Sequence, residues 1–253
     1  MIIVGTCPDL SEDKLINISQ TLTIYDNEQK VFATFNSGQD RQSIAYEQIP
    51  ECVIKGLIAT EDVRFYDHNG IDFKRIIGAT VNDITSGSLK EGASTITQQL
   101  VKNSHLTNKK TFMRKGQEAI LALQLEKKYS KQEIIEWYLN AVYFGEGCWG
   151  VQTAAETYFG KDVKDLSLAE SAAIVGITNK PTAYNPFYDQ SANKDRLETI
   201  LREMYEQGYI DYRTYTDAVN EELVFTRSAN DVAVQEINSY YVETVVEDVI
   251  RDL

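Results

Sequence analysis

The chain has 253 residues, 43% of them hydrophobic and 25% charged, which is ordinary for a globular protein able to bury a core. Its formal net charge of −13 argues against nucleic acid as the main partner, because no extended basic surface offsets the acidic residues. Three widely spaced cysteines and two histidines exclude a disulfide framework, a cysteine-based zinc pattern and a His-rich metal site.

The first part of the chain predicts a β-hairpin. Residues 21–25 and 30–35 are rich in β-branched and aromatic residues, and Asp26-Asn27 between them is typical of a turn. After Pro50 the pattern becomes helical, and apolar residues at helical spacing lead directly into Glu61.

Helical segments then follow one another as far as residue 220. We predict helices over 73–84, 94–101, 111–129, 130–145, 150–159, 167–175, 194–206 and 211–220. Ser130, with Glu133 three residues later, predicts a capping box, and Ser167 is predicted to cap the helix that bears Glu170. The fold class is therefore mainly α with a small N-terminal β element.

We predict three regions along the chain. Residues 1–42 form an N-terminal juxtamembrane and hairpin segment, 43–225 a single helical domain, and 226–253 a linker. No apolar run approaches the roughly 18–20 residues of a membrane-spanning helix. Either the protein is soluble or the chain is a domain separated from its anchor, and the new apolar pattern over 240–246 favours the second interpretation.

One segment reverses the acidic character of the chain. This basic segment, residues 102–117, contains five basic residues and no acid: Lys102, Lys109, Lys110, Arg114 and Lys115. On a helix, Arg114 and Lys115 share a face with Glu118. The pattern fits either a solvated salt-bridge ladder or a glutamate held ionised by cations that also hold a phosphate.

Two further features flank this basic segment. Glu61 follows the apolar run 57–59, and a carboxylate at the edge of a core suits proton acceptance, although most single glutamates are surface acids. The run 92–99 is uncharged and polar, and it matches sugar hydroxyls and acetamides, although Ser94 or Thr95 can also simply cap a helix. Together these features suit the transfer of a sugar from a donor whose leaving group is phosphorylated.

Five motifs occur in a fixed order: 61–70 (EDVRFYDHNG), 92–103 (GASTITQQLVKN), 114–118 (RKGQE), 133–140 (EIIEWYLN), and a group that includes 158–161 (YFGK), 168–170 (LAE) and 179–182 (NKPT). Over about residues 43–225 the chain thereby resembles the family 51 glycosyltransferase domain of bifunctional, class A penicillin-binding proteins, the peptidoglycan polymerases of bacteria. One such motif is compatible with chance, but five in order are not.

The resemblance implies a lysozyme-like helical fold and the polymerisation of lipid II at the extracytoplasmic face of the cytoplasmic membrane. By position, Glu61 matches the general base, which takes the proton from the 4-hydroxyl of the acceptor sugar. That oxygen then attacks the anomeric carbon of the lipid-linked strand, with inversion and release of undecaprenyl diphosphate. The product is a β-1,4-linked glycan.

The resemblance also assigns site residues. Glu118 matches the second catalytic glutamate, which orients cations or binds a divalent metal; Mg²⁺ or Mn²⁺ is left open, and no organic cofactor is expected. Lys110 stands where the family usually has Arg, which removes a bidentate phosphate contact. The expected substrate-binding residues are Asp62, Arg64, Phe65, His68, Ser94, Thr95, Gln98, Gln99, Lys102, Asn103, Lys110, Arg114 and Lys115.

The implied partners are lipid II, the lipid-linked growing strand, the bacterial membrane surface and a transpeptidase domain that follows residue 253 of the parent chain. The apolar residues of 73–81 fit either lipid contact or a core-facing helix. A lysozyme-like glycan-cleaving enzyme is the main alternative, because paired carboxylates also serve hydrolysis. The basic segment argues against it, since a neutral glycosidic leaving group needs an acid rather than cations.

Overall fold

The computed structural model describes residues 7–16, 21–25, 31–36, 42–78, 94–106 and 111–227. The prediction of a mainly α fold is confirmed. In chain order the helices are α1 (Asp13–Ile16), α2 (Glu51–Glu61), α3 (Ile96–His105), α4 (Phe112–Lys128), α5 (Lys131–Ala141), α6 (Val151–Phe159), α7 (Leu168–Ile177), α8 (Gln190–Glu206) and α9 (Tyr212–Val219). Residues 73–78 are also helical, and short 3-10 turns lie at Tyr46–Gln48 and Val163–Asp165.

Two short strands lie between α1 and α2. β1 (Thr21–Tyr25) pairs antiparallel with β2 (Val31–Asn36), with an irregular register between Ile24 and Tyr25. The turn predicted at Asp26-Asn27 lies outside the described residues, as does the predicted linker beyond residue 227. In the described ranges, no helix combines the length and apolar character needed to cross a bilayer.

Side-chain caps fix where several helices begin. The Ser130 hydroxyl accepts from the Glu133 N–H at 3.3 Å, and the Glu133 carboxylate accepts from the Ser130 N–H at 2.7 Å. Ser167 and Glu170 form the same reciprocal pair at α7. Both predicted caps are confirmed, and Thr95 is the residue that caps α3.

A layer of three helices fixes the end of α2. α7 is buried from Ala169 to Ile177, and both α2 and α8 pack against it and against each other. Leu57 of α2 and Leu201 of α8 are fully buried, and burying one such side chain contributes about 1.5–3 kcal/mol. This packing determines the place of Glu61, the last residue of α2.

The loop after Glu61 is fixed by the helices beside it. Gly70 has a φ of +94°, and a Cβ there would lie 2.6 Å from the carbonyl oxygen of Ala122 on α4. The carbonyl of Gly70 accepts from the Thr95 hydroxyl at 2.7 Å. Only glycine fits this position, because another side chain would push the loop away from α4.

Residues 42–46 dock on α5 and α6. Asn140 accepts from the Ile44 N–H at 3.0 Å and donates to the Ile44 carbonyl at 2.8 Å. Glu136 accepts from the Tyr46 N–H at 2.8 Å. These contacts give Glu136 and Asn140 of the fourth motif a structural role.

Candidate active site

Glu61 presents its carboxylate at the C-terminal end of α2, with 12% of its side chain exposed. Its Oε2 accepts from the Gln99 amide at 3.2 Å. Its Oε1 accepts from Asn179 at 3.3 Å and from Arg196 at 3.4 Å. The backbone carbonyl of Glu61 also accepts from the Arg75 guanidinium. The carboxylate is therefore held at the edge of the core, where the sequence places a proton acceptor.

Gln99 connects Glu61 to the rest of the site. The Tyr138 hydroxyl donates to the Gln99 carbonyl oxygen at 3.1 Å, which leaves the amide nitrogen directed at Glu61. Burial, and next the charge of Glu61, raise the pKa of Tyr138, so that its hydroxyl stays a donor. Tyr138, a residue of the fourth motif, thus serves the site by fixing the Gln99 amide.

A cavity of about 360 Å³ lies beside Gln99. Every residue that lines it is among those predicted for the site: Ser94, Gln98, Gln99, Lys102, Arg114, Lys115 and Glu118. The structure therefore brings the polar run, the basic segment and the second glutamate to one place, and Gln99 joins that place to Glu61.

Glu118 orders the cations of this cavity. Its side chain is buried, with Oε2 2.6 Å from Lys115 Nζ and Oε1 3.0 Å from Arg114 Nη1. Lys115 also donates to the Ser94 hydroxyl at 2.6 Å, and 48% of its side chain is exposed. Two cations meet one carboxylate and Lys102 adds a third, so the cavity suits an anionic group.

Among the described residues, too few oxygen ligands lie around Glu118 to hold a divalent metal. Each of its carboxylate oxygens already faces a cation. Within the described part of the chain there is no group of three or more His, Cys, Asp or Glu side chains placed to hold an ion. Mg²⁺ and similar ions require several oxygen ligands, so we derive no step through a metal.

Three residues of the first motif stabilise the loop through packing and hydrogen bonds. Asp62 and Phe65 are completely buried, and His68 is nearly so. His68 Nδ1 accepts from the Gly70 N–H, so we assign Nε2 as the donor to Asp62 at 3.0 Å. Asp62 also accepts from the Ile96 N–H at 2.9 Å. These contacts give the three residues a positioning role, and their predicted substrate contacts stay predictions.

Arg64 also has a structural partner. Its guanidinium binds the buried Asp72 carboxylate through Nη2 at 2.6 Å and Nε at 3.0 Å. Burial acts to raise the pKa of Asp72, but hydrogen bonds from the Arg75 N–H and Arg64 outweigh it and the pKa is lowered. Arg64 thereby ties the first motif to the segment that carries Arg75.

Four predicted substrate-binding residues remain, and each has different surroundings. Thr95 is completely buried as the cap of α3, which gives it a structural role, and its predicted substrate contact stays a prediction. Gln98 is buried and bonded to the Thr95 N–H, yet it still lines the cavity. Asn103 is exposed on α3 and does not line the cavity, and Lys110 lies outside the described residues.

Two partners of the Glu61 carboxylate were not predicted from the sequence. Asn179 belongs to the quoted NKPT segment, so the motif contained the signal that points to it. Arg196 lies 135 residues from Glu61 in the chain and in no motif, so no local pattern indicates it.

Comparison with known proteins decides the family of the chain. A family model described as Transglycosylase matches residues 28–205. The chain belongs to the transglycosylase family. Glu61, its carboxylate partners and the residues that line the cavity all lie within the matched range.

The relatives of this transglycosylase are longer proteins. Penicillin-binding protein 1A of Streptococcus oralis is 38% identical over 252 residues, which cover 98% of this chain and 39% of that protein. Penicillin-binding protein 1F of Bacillus subtilis is 43% identical over 201 residues, which cover 79% of this chain and 28% of that protein. The chain thus spans 39% and 28% of the lengths of these two relatives.

A solved structure is also similar. The crystal structure of penicillin-binding protein 1A from Haemophilus influenzae gives a TM-score of 0.49 at 23% identity, covering 86% of this transglycosylase chain and 24% of that chain. Family membership rests on the sequence match.

Proposed function

We propose that this chain is the peptidoglycan glycosyltransferase domain of a class A penicillin-binding protein, and that it polymerises lipid II into β-1,4-linked glycan. The observation that carries the proposal is the Gln99–Glu61 hydrogen bond at the margin of the cationic cavity. A group that accepts a proton and a site that accepts an anion are joined by one side chain. The names of the relatives and of the family support the same activity.

In the proposed reaction Glu61 is the general base. Its carboxylate removes the proton from the 4-hydroxyl of the acceptor sugar as that oxygen attacks the anomeric carbon of the lipid-linked strand. The new C–O bond forms while the bond to the diphosphate oxygen breaks, and the leaving diphosphate takes the electron pair. Attack opposite to departure inverts the anomeric carbon. Because Gln99 and Asn179 contact the carboxylate, its orientation is set before substrate binds.

The cationic cavity would stabilise the leaving diphosphate. Lys115 and Arg114 are held in place by Glu118, and Lys102 lines the same space. Preorganised cations lower the barrier because they need no rearrangement as negative charge develops. We keep Lys110 and Asn103 as proposed substrate-binding residues.

We also propose that the domain works on the extracytoplasmic surface of the bacterial cytoplasmic membrane, where both of its lipid-linked substrates lie. Phe73, Ile77 and Phe112 are exposed apolar side chains, which supports contact with lipid, and Phe112 lies on the helix that carries Arg114 and Lys115. The longer relatives, all named as penicillin-binding proteins, support a transpeptidase domain in the same parent chain.

Glycan cleavage is less compatible with the site. A hydrolase of this type needs a second carboxyl group that can protonate the leaving sugar oxygen. Glu118, the second glutamate of the site, is buried against two cations and is not free to act as that acid.

Incubation with fluorescent lipid II tests the proposal. A ladder of polymer on a denaturing gel, with release of undecaprenyl diphosphate, is the expected result. If the protein instead shortens preformed glycan and makes no polymer from lipid II, the proposed function is wrong.

A further inference from the structure

Arg196 is a cation next to the carboxylate of Glu61 that neither the motifs nor the proposed chemistry explains. Its side chain is 16% exposed, and its Nη2 lies 3.4 Å from Glu61 Oε1. Asn179 donates to the same oxygen, while Gln99 donates to the other. The carboxylate is thus contacted from three separate parts of the chain, and Arg196 is its charged partner.

Gly176 and Tyr184 define the route of the Arg196 side chain. A Cβ added to Gly176 on α7 would lie 2.9 Å from Arg196 Cγ and 3.6 Å from its Cβ. Farther out, the Arg196 Cζ lies 5.8 Å from the centre of the Tyr184 ring. The aliphatic part of the Arg196 side chain therefore crosses α7 at Gly176, which has no side chain, and the guanidinium is directed to Glu61.

Stability does not explain an arginine at this position. Its Nε is buried and has no hydrogen-bond acceptor among the described residues. A buried donor without a partner destabilises the fold, and a buried ion pair is by itself only weak evidence of a contribution to stability. A residue kept at a cost to the fold points to a role in the site.

We propose that Arg196 is a positioning residue for the general base: it holds the Glu61 carboxylate, together with Asn179 and Gln99, in the orientation that receives the acceptor proton. The inference rests on the proposed function, since it takes Glu61 as the base. Arg196 acts through Glu61, so it affects the chemical step more than the affinity for lipid II.

Three variants on one helix test this role in lipid II polymerisation. Arg196→Met keeps the length of the stem but removes the charge, and we expect kcat to fall about 10- to 100-fold with KM within about threefold of wild type. Arg196→Lys restores a cation and should recover at least about threefold of the lost kcat. Lys194→Met removes the same charge from an exposed position two residues away and should leave kcat within about twofold.

Gly176→Ala moves the arginine without removing it. The new Cβ would displace the Arg196 stem, because the contact at Cγ is too short to accommodate a methyl group. Alanine is favoured over glycine inside a helix by about 1 kcal/mol, so helix formation itself is not weakened. We expect kcat to fall about tenfold in this variant, while the melting temperature changes little or not at all.

The outcomes separate the inference from the proposed function. Polymerisation by wild type, combined with unchanged kcat in Arg196→Met, would overturn the inference alone. A raised KM with unchanged kcat would also overturn it, because it would make Arg196 a substrate ligand. Equal losses in Lys194→Met and Arg196→Met would reduce the effect to overall charge and overturn it as well. No polymer from wild type would overturn the proposed function, and the inference with it.

Discussion

The amide nitrogen of Gln99 donates to the Glu61 carboxylate at 3.2 Å. Gln99 also lines the cavity that contains Lys115 and Glu118. A single side chain thus connects the group that would accept a proton with the site that would accept a diphosphate. The orientation of this amide matters, because its oxygen would repel the carboxylate that its nitrogen attracts.

Tyr138→Phe tests the orientation of the Gln99 amide. Without the hydroxyl the Gln99 carbonyl oxygen loses its donor, and the amide is free to turn toward Glu61. We expect kcat for polymerisation to fall about threefold to tenfold and the free energy of unfolding to fall by about 1 kcal/mol.

Tyr158→Phe is the matched control for this variant. Tyr158 is equally buried, and its hydroxyl donates to the Phe144 carbonyl at 2.8 Å, away from Glu61. It should lose similar stability in urea unfolding but keep the kcat of wild type. Equal kcat in the two variants would show that the orientation of Gln99 does not depend on Tyr138.

Lys115→Met tests whether the cavity receives an anion. Lys115 contacts Ser94 and Glu118 from a half-exposed position, so removing it leaves the fold largely intact. We expect the KM for lipid II to rise about tenfold and its dependence on salt concentration to weaken, because one cation is lost from the diphosphate site.

Lys127→Met is the corresponding control at the other end of α4, where the lysine is exposed. Its KM should stay within about twofold of wild type. An equal rise in KM for both variants would mean that overall charge, rather than the cavity, attracts the substrate.

Asp72→Asn tests the ion pair between Arg64 and Asp72. The pKa of Asp72 is lowered in the folded protein, so its stabilising effect is present above the unfolded value of about 3.9 and is lost as the pH falls through the lower folded value. In thermal unfolding from about pH 6 to about pH 3, the variant should start with a lower Tm and lose less of it than wild type.

Asp67→Asn controls for the loss of a carboxyl group, because Asp67 is an exposed residue of the same loop. Its Tm should fall with pH as steeply as that of wild type. If Asp72→Asn follows the same slope as well, the Arg64–Asp72 pair does not contribute to acid stability.

Local signals allowed the helices to be predicted from the sequence. The start of α5 follows from Ser130 and Glu133 alone, because a capping box involves four consecutive residues. The start of α8 was predicted four residues too late, at Lys194. The Asp189 carboxylate caps the N–H of Ala192 instead, so the helix begins at Gln190.

The site was predictable only where the motif residues face the cavity. Gln99, Lys115 and Glu118 do so, and their chemical types indicated their surroundings. Asp62 lies next to Glu61 in the chain but points into the core, a difference that polarity alone does not reveal. Arg196 reaches Glu61 only through the packing of α2, α7 and α8, so sequence patterns contain no sign of it.

The most direct test of the account is the rate of lipid II polymerisation by Glu61→Gln, measured together with lipid II binding. The substitution keeps the size of the side chain, and its amide oxygen can still accept from Asn179, but an NH2 group replaces the oxygen that accepts from Gln99 and the basic carboxylate is lost. We predict no detectable polymer, either with Mg²⁺ or with EDTA, and binding within about threefold of wild type. Polymerisation at a rate near that of wild type in either condition would contradict the assignment of Glu61 as the base.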